Sequence, residues 1–184
     1  VGACGRFFPV KNFSLFVEIA ARLHAKSMDA VFVLAGDGPE KDSLRGLCRD
    51  RGLNAVFSMP GHVDDMSRFY RQMAVFINTS FHEGIPMSVL EAFGHGVPVL
   101  APRVGGLPEI IDDGIDGYLI DGHDPQLFAQ KCAGILKDPE KLECMSAAAE
   151  NKIENRFSAK RMAVDYFRLY ARLVHKPGKR DQCI

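Results

Sequence analysis

An open, doubly wound parallel α/β sheet is the fold this sequence predicts, and three features predict it. Short apolar runs such as AVFVLA (Ala30–Ala35), AVFIN (Ala74–Asn78) and VPVLA (Val97–Ala101) alternate with helical segments along the whole chain, the signature of β/α crossovers. The runs are apolar at successive positions, as strands buried on both faces of a parallel sheet must be. The chain has 184 residues, 47% of them hydrophobic and 25% charged, which suits one domain with a full core of its own.

The elements follow in order. Val1–Cys4 reads as a buried strand and GRFFPVKN as the loop after it. Phe13 to Ala25 places Phe13, Phe16, Val17, Ile19, Ala20 and Leu23 at a helical period. After the strand Ala30–Ala35, GDGP makes a turn, and Pro39 is suited to begin a helix running to about Arg51. Ala55–Met59 is a third strand, followed by a helix from Asp64, a candidate N-cap, to Gln72. Ala74–Asn78 is the fourth strand. A helix from Pro86 to about Phe93 ends at Gly94 and Gly96. Val97–Ala101 is the fifth strand, with a helical turn near Pro108–Ile111 and a short sixth strand at Tyr118–Ile120. Pro125–Leu136, Pro139 to about Asn155, and Ser158–Val174 are the closing helices, and the basic tail from His175 is expected to fray.

Composition excludes several classes. Lys+Arg and Asp+Glu are both 23, so no basic excess exists to drive general binding to nucleic acid or a membrane surface. Five cysteines, widely spaced and without a C-x-x-C pair, read as reduced thiols and not as a disulfide frame or zinc site. The six histidines show no ligand spacing, so no metal is expected. No apolar run approaches the roughly 18–20 residues of a spanning helix, and a cytoplasmic location is expected. The opening VGACGRFF lacks an initiator Met and starts mid-pattern, as in a domain cut from a longer chain.

In a doubly wound sheet the ligand sits beyond the carboxyl ends of the strands, at a topological switch point. Four loops gather there: Gly5–Lys11, Gly61–Asp65, Ser80–Pro86 and Pro102–Pro108. GDGP resembles the start of a dinucleotide fingerprint, but Lys41 stands where the third glycine is needed. Arg6 and Lys11 flank the first loop. Two cations there suit a diphosphate, Arg as a fork and Lys as a point charge, and suit a solvated basic loop equally. Glu83-Gly84 precedes a helix whose N-terminus favours phosphate. Glu91 lies on that helix among Val89, Leu90, Ala92 and Phe93, which read as its core side, where a carboxylate is costly unless something meets it. Ser88 and Glu91 share one face, and a carboxylate on that face could accept hydrogen bonds from a vicinal diol such as a ribose.

GRFFPVKNF, LAGDGP, FSMPGHVDD, SFHEGIPMSVLEAFGHGVPVLA, VGGLPEIIDDGIDGYLI and NRFS occur here in the order seen in family-4-type glycosyltransferases. The chain resembles their C-terminal, donor-binding domain over roughly Val1 to His175, with 176–184 left as a flexible tail and the N-terminal acceptor domain absent. The resemblance rests most specifically on the E-x7-E pair Glu83 and Glu91 with Arg6-x4-Lys11 upstream. Asn12, Thr79 and Gly94 depart from the family pattern, but none of them replaces a charged ligand.

The resemblance implies a Rossmann-like half of a two-domain GT-B fold and a retaining hexosyl transfer from a nucleotide diphosphate sugar, without metal or other cofactor, in polysaccharide, lipopolysaccharide or glycolipid assembly. It implies that Arg6 and Lys11 hold the diphosphate and stabilise the leaving group, and that Glu83 contacts the donor sugar. Glu91 would bind the ribose, and the backbone at Gly84, Ile85 and Met87 would cradle sugar and phosphate. Val63, Asp65 and Arg68 would border the base, and Gly105 and Gly106 would let their loop pass close to the sugar. UDP-sugars are favoured over GDP-mannose as donor. The other expected partner is the missing N-terminal half, and the full-length enzyme would be free to touch the inner face of a membrane for a lipid-linked acceptor. A non-catalytic sugar-nucleotide-binding module and a sugar-nucleotide epimerase of the same fold are the alternatives.

Overall fold

The computed structural model describes residues 1–174; the tail from His175 lies outside the described residues. Gly2–Cys4 forms β1, and a single 3-10 turn at Pro9–Lys11 leads into α1, Phe13–Ala25. Then follow β2 (Phe32–Ala35), α2 (Lys41–Asp50), β3 (Phe57–Gly61), α3 (Met66–Arg71), β4 (Phe76–Ile77) and α4 (Met87–Gly94). The chain continues with β5 (Val99–Pro102), α5 (Leu107–Ile110), β6 (Gly117–Ile120), α6 (Pro125–Leu136) and α7 (Pro139–Lys152). A π-helical turn, Ile153–Phe157, joins α7 to α8, Ala159–Val174.

The strands form one six-stranded sheet in the order β3-β2-β1-β4-β5-β6, and every pairing is parallel. The expected open doubly wound architecture is therefore present. Alternation along each strand feeds two cores. Phe32, Leu34, Ile77 and Leu100 pack with α1, α2 and α6 on one face. Ala35, Phe76, Val99 and Ala101 pack with α3, α4, α5 and α7 on the other. The chain winds outward from β1 through β2 to β3, then returns to place β4 against the other side of β1. The switch point thus lies between β1 and β4, where the loops leaving them diverge.

Element boundaries differ from expectation where turns intervene. Pro39 does not open α2; the helix starts at Lys41, because a tight turn comes first, the Lys41 N–H donating to the Gly38 carbonyl at 3.1 Å, and the Glu40 carbonyl then accepts from the Leu44 N–H at 2.9 Å. β3 begins two residues late, since the Val56 and Phe57 N–H groups both close a turn on the Leu53 carbonyl. The cap of α3 is Asp65, not Asp64: its carboxylate accepts from the Arg68 N–H at 2.9 Å. Pro60 is tolerated inside β3 because β3 is an edge strand.

One feature outside the sheet was not anticipated. Lys152, at the end of α7, is buried, and its ammonium meets the carboxylates of Asp116 and Asp112 and the Ile110 carbonyl. A buried charge needs such partners, and this one ties α7 to the α5–β6 turn. Burial pushes the Asp116 carboxyl upward, against the pull of Lys152. By contrast, α8 contributes no buried residue: Met162, Val164, Phe167, Leu169, Tyr170, Leu173 and Val174 are all exposed. No helix among the described residues is long and apolar enough to cross a membrane.

Candidate functional site

The loops after β1 and β2 are stacked backbone on backbone. A Cβ on Gly36 would stand 1.9 Å from the Gly5 carbonyl oxygen, and one on Gly38 would stand 2.7 Å from Phe7 nitrogen. The GDGP stretch is therefore a turn whose glycines allow close approach, with the Phe7 N–H donating to the Asp37 carbonyl at 2.8 Å. This contact fixes Arg6 at the rim. Its side chain is exposed, with the guanidinium 5.3 Å from the centre of the Phe8 ring.

Across the switch point the loops after β1 and β4 are joined. Thr79 donates its hydroxyl to the Lys11 carbonyl (2.7 Å), and the Phe81 N–H donates to the Val10 carbonyl (2.9 Å). The Lys11 ammonium crosses to Glu83 Oε1 at 2.7 Å, and the same oxygen accepts from Ser80 Oγ (2.6 Å) and Asn78 Nδ2 (3.2 Å). The Glu83 side chain is only 9% exposed. Burial alone would push its carboxyl pKa up, but the three donors outweigh that and hold it below its usual range. Lys11 and Glu83, 72 positions apart in sequence, thus act as one charged unit, with Oε2 of Glu83 left clear of these donors.

Helix α4 opens at Pro86 without a side-chain cap, so its first N–H groups are unspent within the helix. Gly84, Ile85 and Met87 surround that end, all three exposed. The loop after β5 lies across it: the Gly106 N–H donates to the Glu83 carbonyl at 3.2 Å. A Cβ on Gly105 would stand 1.8 Å from that same oxygen, and one on Gly106 would stand 2.4 Å from the Gly84 oxygen. The close approach these two glycines permit is therefore to the backbone of Glu83 and Gly84. They support the carboxylate loop from behind.

Glu91 is not on the core side of α4. Val89, Ala92 and Phe93 are buried while Glu91 is exposed, because each residue of a helix is rotated by about 100° from the one before it, so letters adjacent in sequence need not share a face. Its Oε2 accepts the Tyr70 hydroxyl proton at 3.0 Å. Tyr70 is fully buried, its ring stacked on His95 with centroids 5.4 Å apart, and its oxygen lies 3.5 Å from Cys4 Sγ. Burial, reinforced by Cys4 and Glu91, drives the Tyr70 hydroxyl far above its ordinary range, so it stays a proton donor. Burial likewise raises the Cys4 thiol.

Cys4 lines a cavity of about 380 Å³ with Gly5, Arg6, Ala35, Gly36, Asp37, His62, Val63 and Met66. It sits beyond the carboxyl ends of β1, β2 and β3. The Lys11 stem passes near its edge, 3.9 Å from where a Cβ on Gly5 would stand. Of the residues expected to border the base, Val63 lines the cavity, whereas Asp65 and Arg68 are not among the lining residues, and Asp65 is engaged as a helix cap; Arg6, expected at the diphosphate, also lines it. Tyr70, Asn78, Ser80 and His123 were missed. The spacing of neighbouring polar residues in Asn78–Ser80 is a signal that could have flagged two of them; Tyr70 carries none.

Residues 1–138 match the family model described as glycosyl transferases group 1. The lipopolysaccharide core biosynthesis glycosyltransferase LpsE of Rhizobium meliloti (strain 1021) is 30% identical over 172 residues, covering 93% of this chain and 49% of that protein. A crystal structure of a mutant TarM from S. aureus, in complex with Fondaparinux, alpha-GlcNAc-glycerol and UDP, superposes with a TM-score of 0.86 at 23% identity, covering 92% of this chain and 34% of that one. The C-terminal domain of the group 1 glycosyl transferase LpcC from Francisella tularensis superposes with a TM-score of 0.78 at 23% identity, covering 86% of each chain. The chain spans less than half the length of the curated relatives it matches.

Proposed function

The chain belongs to the glycosyl transferases group 1 family, and on that footing we propose that it is the donor-binding half of a GT-B glycosyltransferase that takes a hexosyl unit from a nucleotide diphosphate sugar with retention. The observation that carries this reading is the Lys11–Glu83 unit at the switch point, set between an uncapped helix N-terminus and a cavity of nucleoside size.

The geometry supports a division of labour. The cavity takes base and ribose, and Glu91, joined through the Tyr70 hydroxyl to the lining residue Cys4, accepts from the ribose hydroxyls. Lys11 spends one N–H on Glu83 and keeps two for a diphosphate. Arg6, exposed and resting on Phe8, supplies a planar fork for the same group. When the glycosidic bond to the diphosphate breaks, negative charge grows on the leaving oxygen. Arg6, Lys11 and the N–H groups at Gly84, Ile85 and Met87 would meet that charge in place, with no reorganisation at the moment of reaction. Glu83, held ionised and fixed through Oε1, offers Oε2 to a sugar hydroxyl. The acceptor site belongs to the half of the enzyme that this chain does not contain. Assembly of a lipopolysaccharide, polysaccharide or glycolipid is the setting this reading favours, on the names of the relatives.

Calorimetric titration with UDP, GDP, UDP-glucose and GDP-mannose in the presence of EDTA tests the proposal. Uridine nucleotides are expected to bind without divalent cation. Binding that appears only after Mg²⁺ or Mn²⁺ is added would overturn the cation-clamp assignment of Arg6 and Lys11.

A further inference from the structure

We propose that His123 is a positioning residue of this site, pinning the Ser80 carbonyl and through Ser80 the Glu83 carboxylate. The inference rests on the reading of Glu83 as the ligand of the donor sugar. His123 lies in the turn between β6 and α6, beside Asp124, which caps α6 by accepting from the Gln126 N–H at 2.8 Å. The ring is thus carried on the root of a helix. It makes two contacts with consecutive residues of the β4 loop: Nε2 lies 3.1 Å from the Ser80 carbonyl oxygen, and the ring centroid lies 4.8 Å from that of Phe81. A carbonyl can only accept, so Nε2 carries the hydrogen, as it does in both the neutral Nε2–H tautomer and the cation.

The β4 loop needs such a hold on this side. From the β1 side it is tied by Thr79 to the Lys11 carbonyl and by Phe81 to the Val10 carbonyl. From behind, Gly106 holds the Glu83 carbonyl. Ser80 is 1% exposed, and its hydroxyl makes the shortest of the three bonds to Glu83 Oε1, 2.6 Å. Its N–H is held by Asn78 Oδ1 at 3.0 Å. The carbonyl is the one remaining polar group of Ser80, and His123 meets it. Without that partner a backbone oxygen in a dry place is left unsatisfied, and the peptide is free to turn toward water. A shift of the Ser80 hydroxyl by a fraction of a bond length loosens the carboxylate that has to meet a sugar hydroxyl. His123 does not line the cavity, so its effect is confined to the sugar end of the donor.

The test compares UDP with UDP-glucose, and GDP with GDP-mannose, by calorimetry on wild type, His123→Ala, His123→Gln and Ser80→Ala. His123→Ala should weaken the sugar nucleotide relative to its parent diphosphate by about five- to tenfold, while the parent itself changes less than about twofold. His123→Gln, whose amide donates from nearly the same point, should restore the ratio. Ser80→Ala should reproduce the loss, and the double variant should lose no more than Ser80→Ala alone, since both act through one bond. An unchanged ratio in a folded His123→Ala would overturn the inference while leaving the donor-site reading standing, and so would a loss that His123→Gln fails to restore. Failure of the wild type to bind any of the four nucleotides would overturn the donor-site reading and the inference with it.

Discussion

Replacing Tyr70 by phenylalanine deletes one oxygen from the wall between the core and Glu91. The ring is fully buried among Phe69, Phe76 and His95, and phenylalanine keeps that packing. What is lost is the 3.0 Å donation to Glu91 Oε2 and the 3.5 Å contact with Cys4 Sγ. A hydrogen bond to a fully buried charge would be worth about 1.5–3 kcal/mol. Glu91 is exposed, so water can replace the hydroxyl on the carboxylate, and phenylalanine leaves no orphaned polar atom of its own. The stability cost should therefore fall to about 1 kcal/mol or less. The effect on binding should be separable from it. Freed from Tyr70, the Glu91 side chain has to be ordered when it meets a ribose, at a cost of about 0.5–1.5 kcal/mol for a rotamer-rich side chain, which is roughly two- to tenfold in affinity.

The assay is calorimetric titration with UDP and with UDP-glucose, since both carry the ribose and should weaken equally. The effect should not vary between pH 6 and 9, because the Tyr70 hydroxyl remains protonated throughout that range. In a Glu91→Ala background, Tyr70→Phe should have no further effect on affinity, because the hydroxyl acts through the carboxylate. If Tyr70→Phe lowers the melting temperature but leaves UDP affinity intact, the tyrosine is a packing residue and the Glu91 side chain is not held for a ligand. If the two variants weaken binding additively, they act independently, and the chain of contact from core to ribose does not exist.

Four further outcomes are expected. Glu91→Ala should reduce UDP affinity more than Glu83→Ala does, about tenfold for one charged hydrogen bond; equal effects would merge the ribose and sugar roles. Glu83→Gln should cost about 1–2 kcal/mol at pH 7. The native carboxyl sits below the ordinary glutamate value of 4.5, so its stabilisation is present above that value and is lost as pH falls through the lowered native one. The melting-temperature gap to wild type should therefore close in strong acid, and a gap that widens there would refute the assigned donors. Lys152→Met should destabilise by about 3 kcal/mol by stranding Asp116, and the loss should shrink toward acid pH as the raised Asp116 carboxyl protonates. In hydrogen exchange, α8 should open more easily than α4, and the chain should self-associate through the exposed apolar residues of α8; equal protection in a chain that stays monomeric would count against both.

The sheet was legible because its signals are local. AVFVLA and VPVLA carry strand character in their own letters, and the bounds of α1 and α6 agree with the structure to the residue. The misses are of a different kind. Pro39 has the chemistry of a helix start, yet residues 38–41 form a tight turn first, in a loop held against the distant Phe7 by the Glu40 N–H. Asp64 and Asp65 are equal candidates for a cap by type, and only the path of the backbone out of β3 selects the second. Lys152 reads as one more exposed lysine at a helix end, since its partners Asp112 and Asp116 lie on another element.

The site divides in the same way. Residues that would touch a ligand are visible in a sequence because they are odd where they stand: Arg6 and Lys11 around a short loop, Glu83 beside a glycine, Glu91 in an apolar run. Residues that hold them are not odd. Tyr70 looks like any buried aromatic, Ser80 like any loop serine, and His123 like a polar residue before a helix. Their roles depend on one atom each, aimed at a neighbour brought close by the fold: a hydroxyl on Glu91, a hydroxyl on Glu83, an imidazole N–H on the Ser80 carbonyl. Glu91 shows why this matters. The sequence poses its carboxylate as a buried charge in need of a partner, and the structure dissolves the puzzle from both ends, since the residue is exposed and has a partner as well. A carboxylate that water could satisfy has no need of a buried tyrosine for stability. The buried Tyr70 hydroxyl needs an acceptor, and Glu91 supplies one; the same bond holds the carboxylate in one rotamer, where a ribose would meet it, so a change in UDP affinity, not in stability alone, is what separates a binding role for this contact from a packing one.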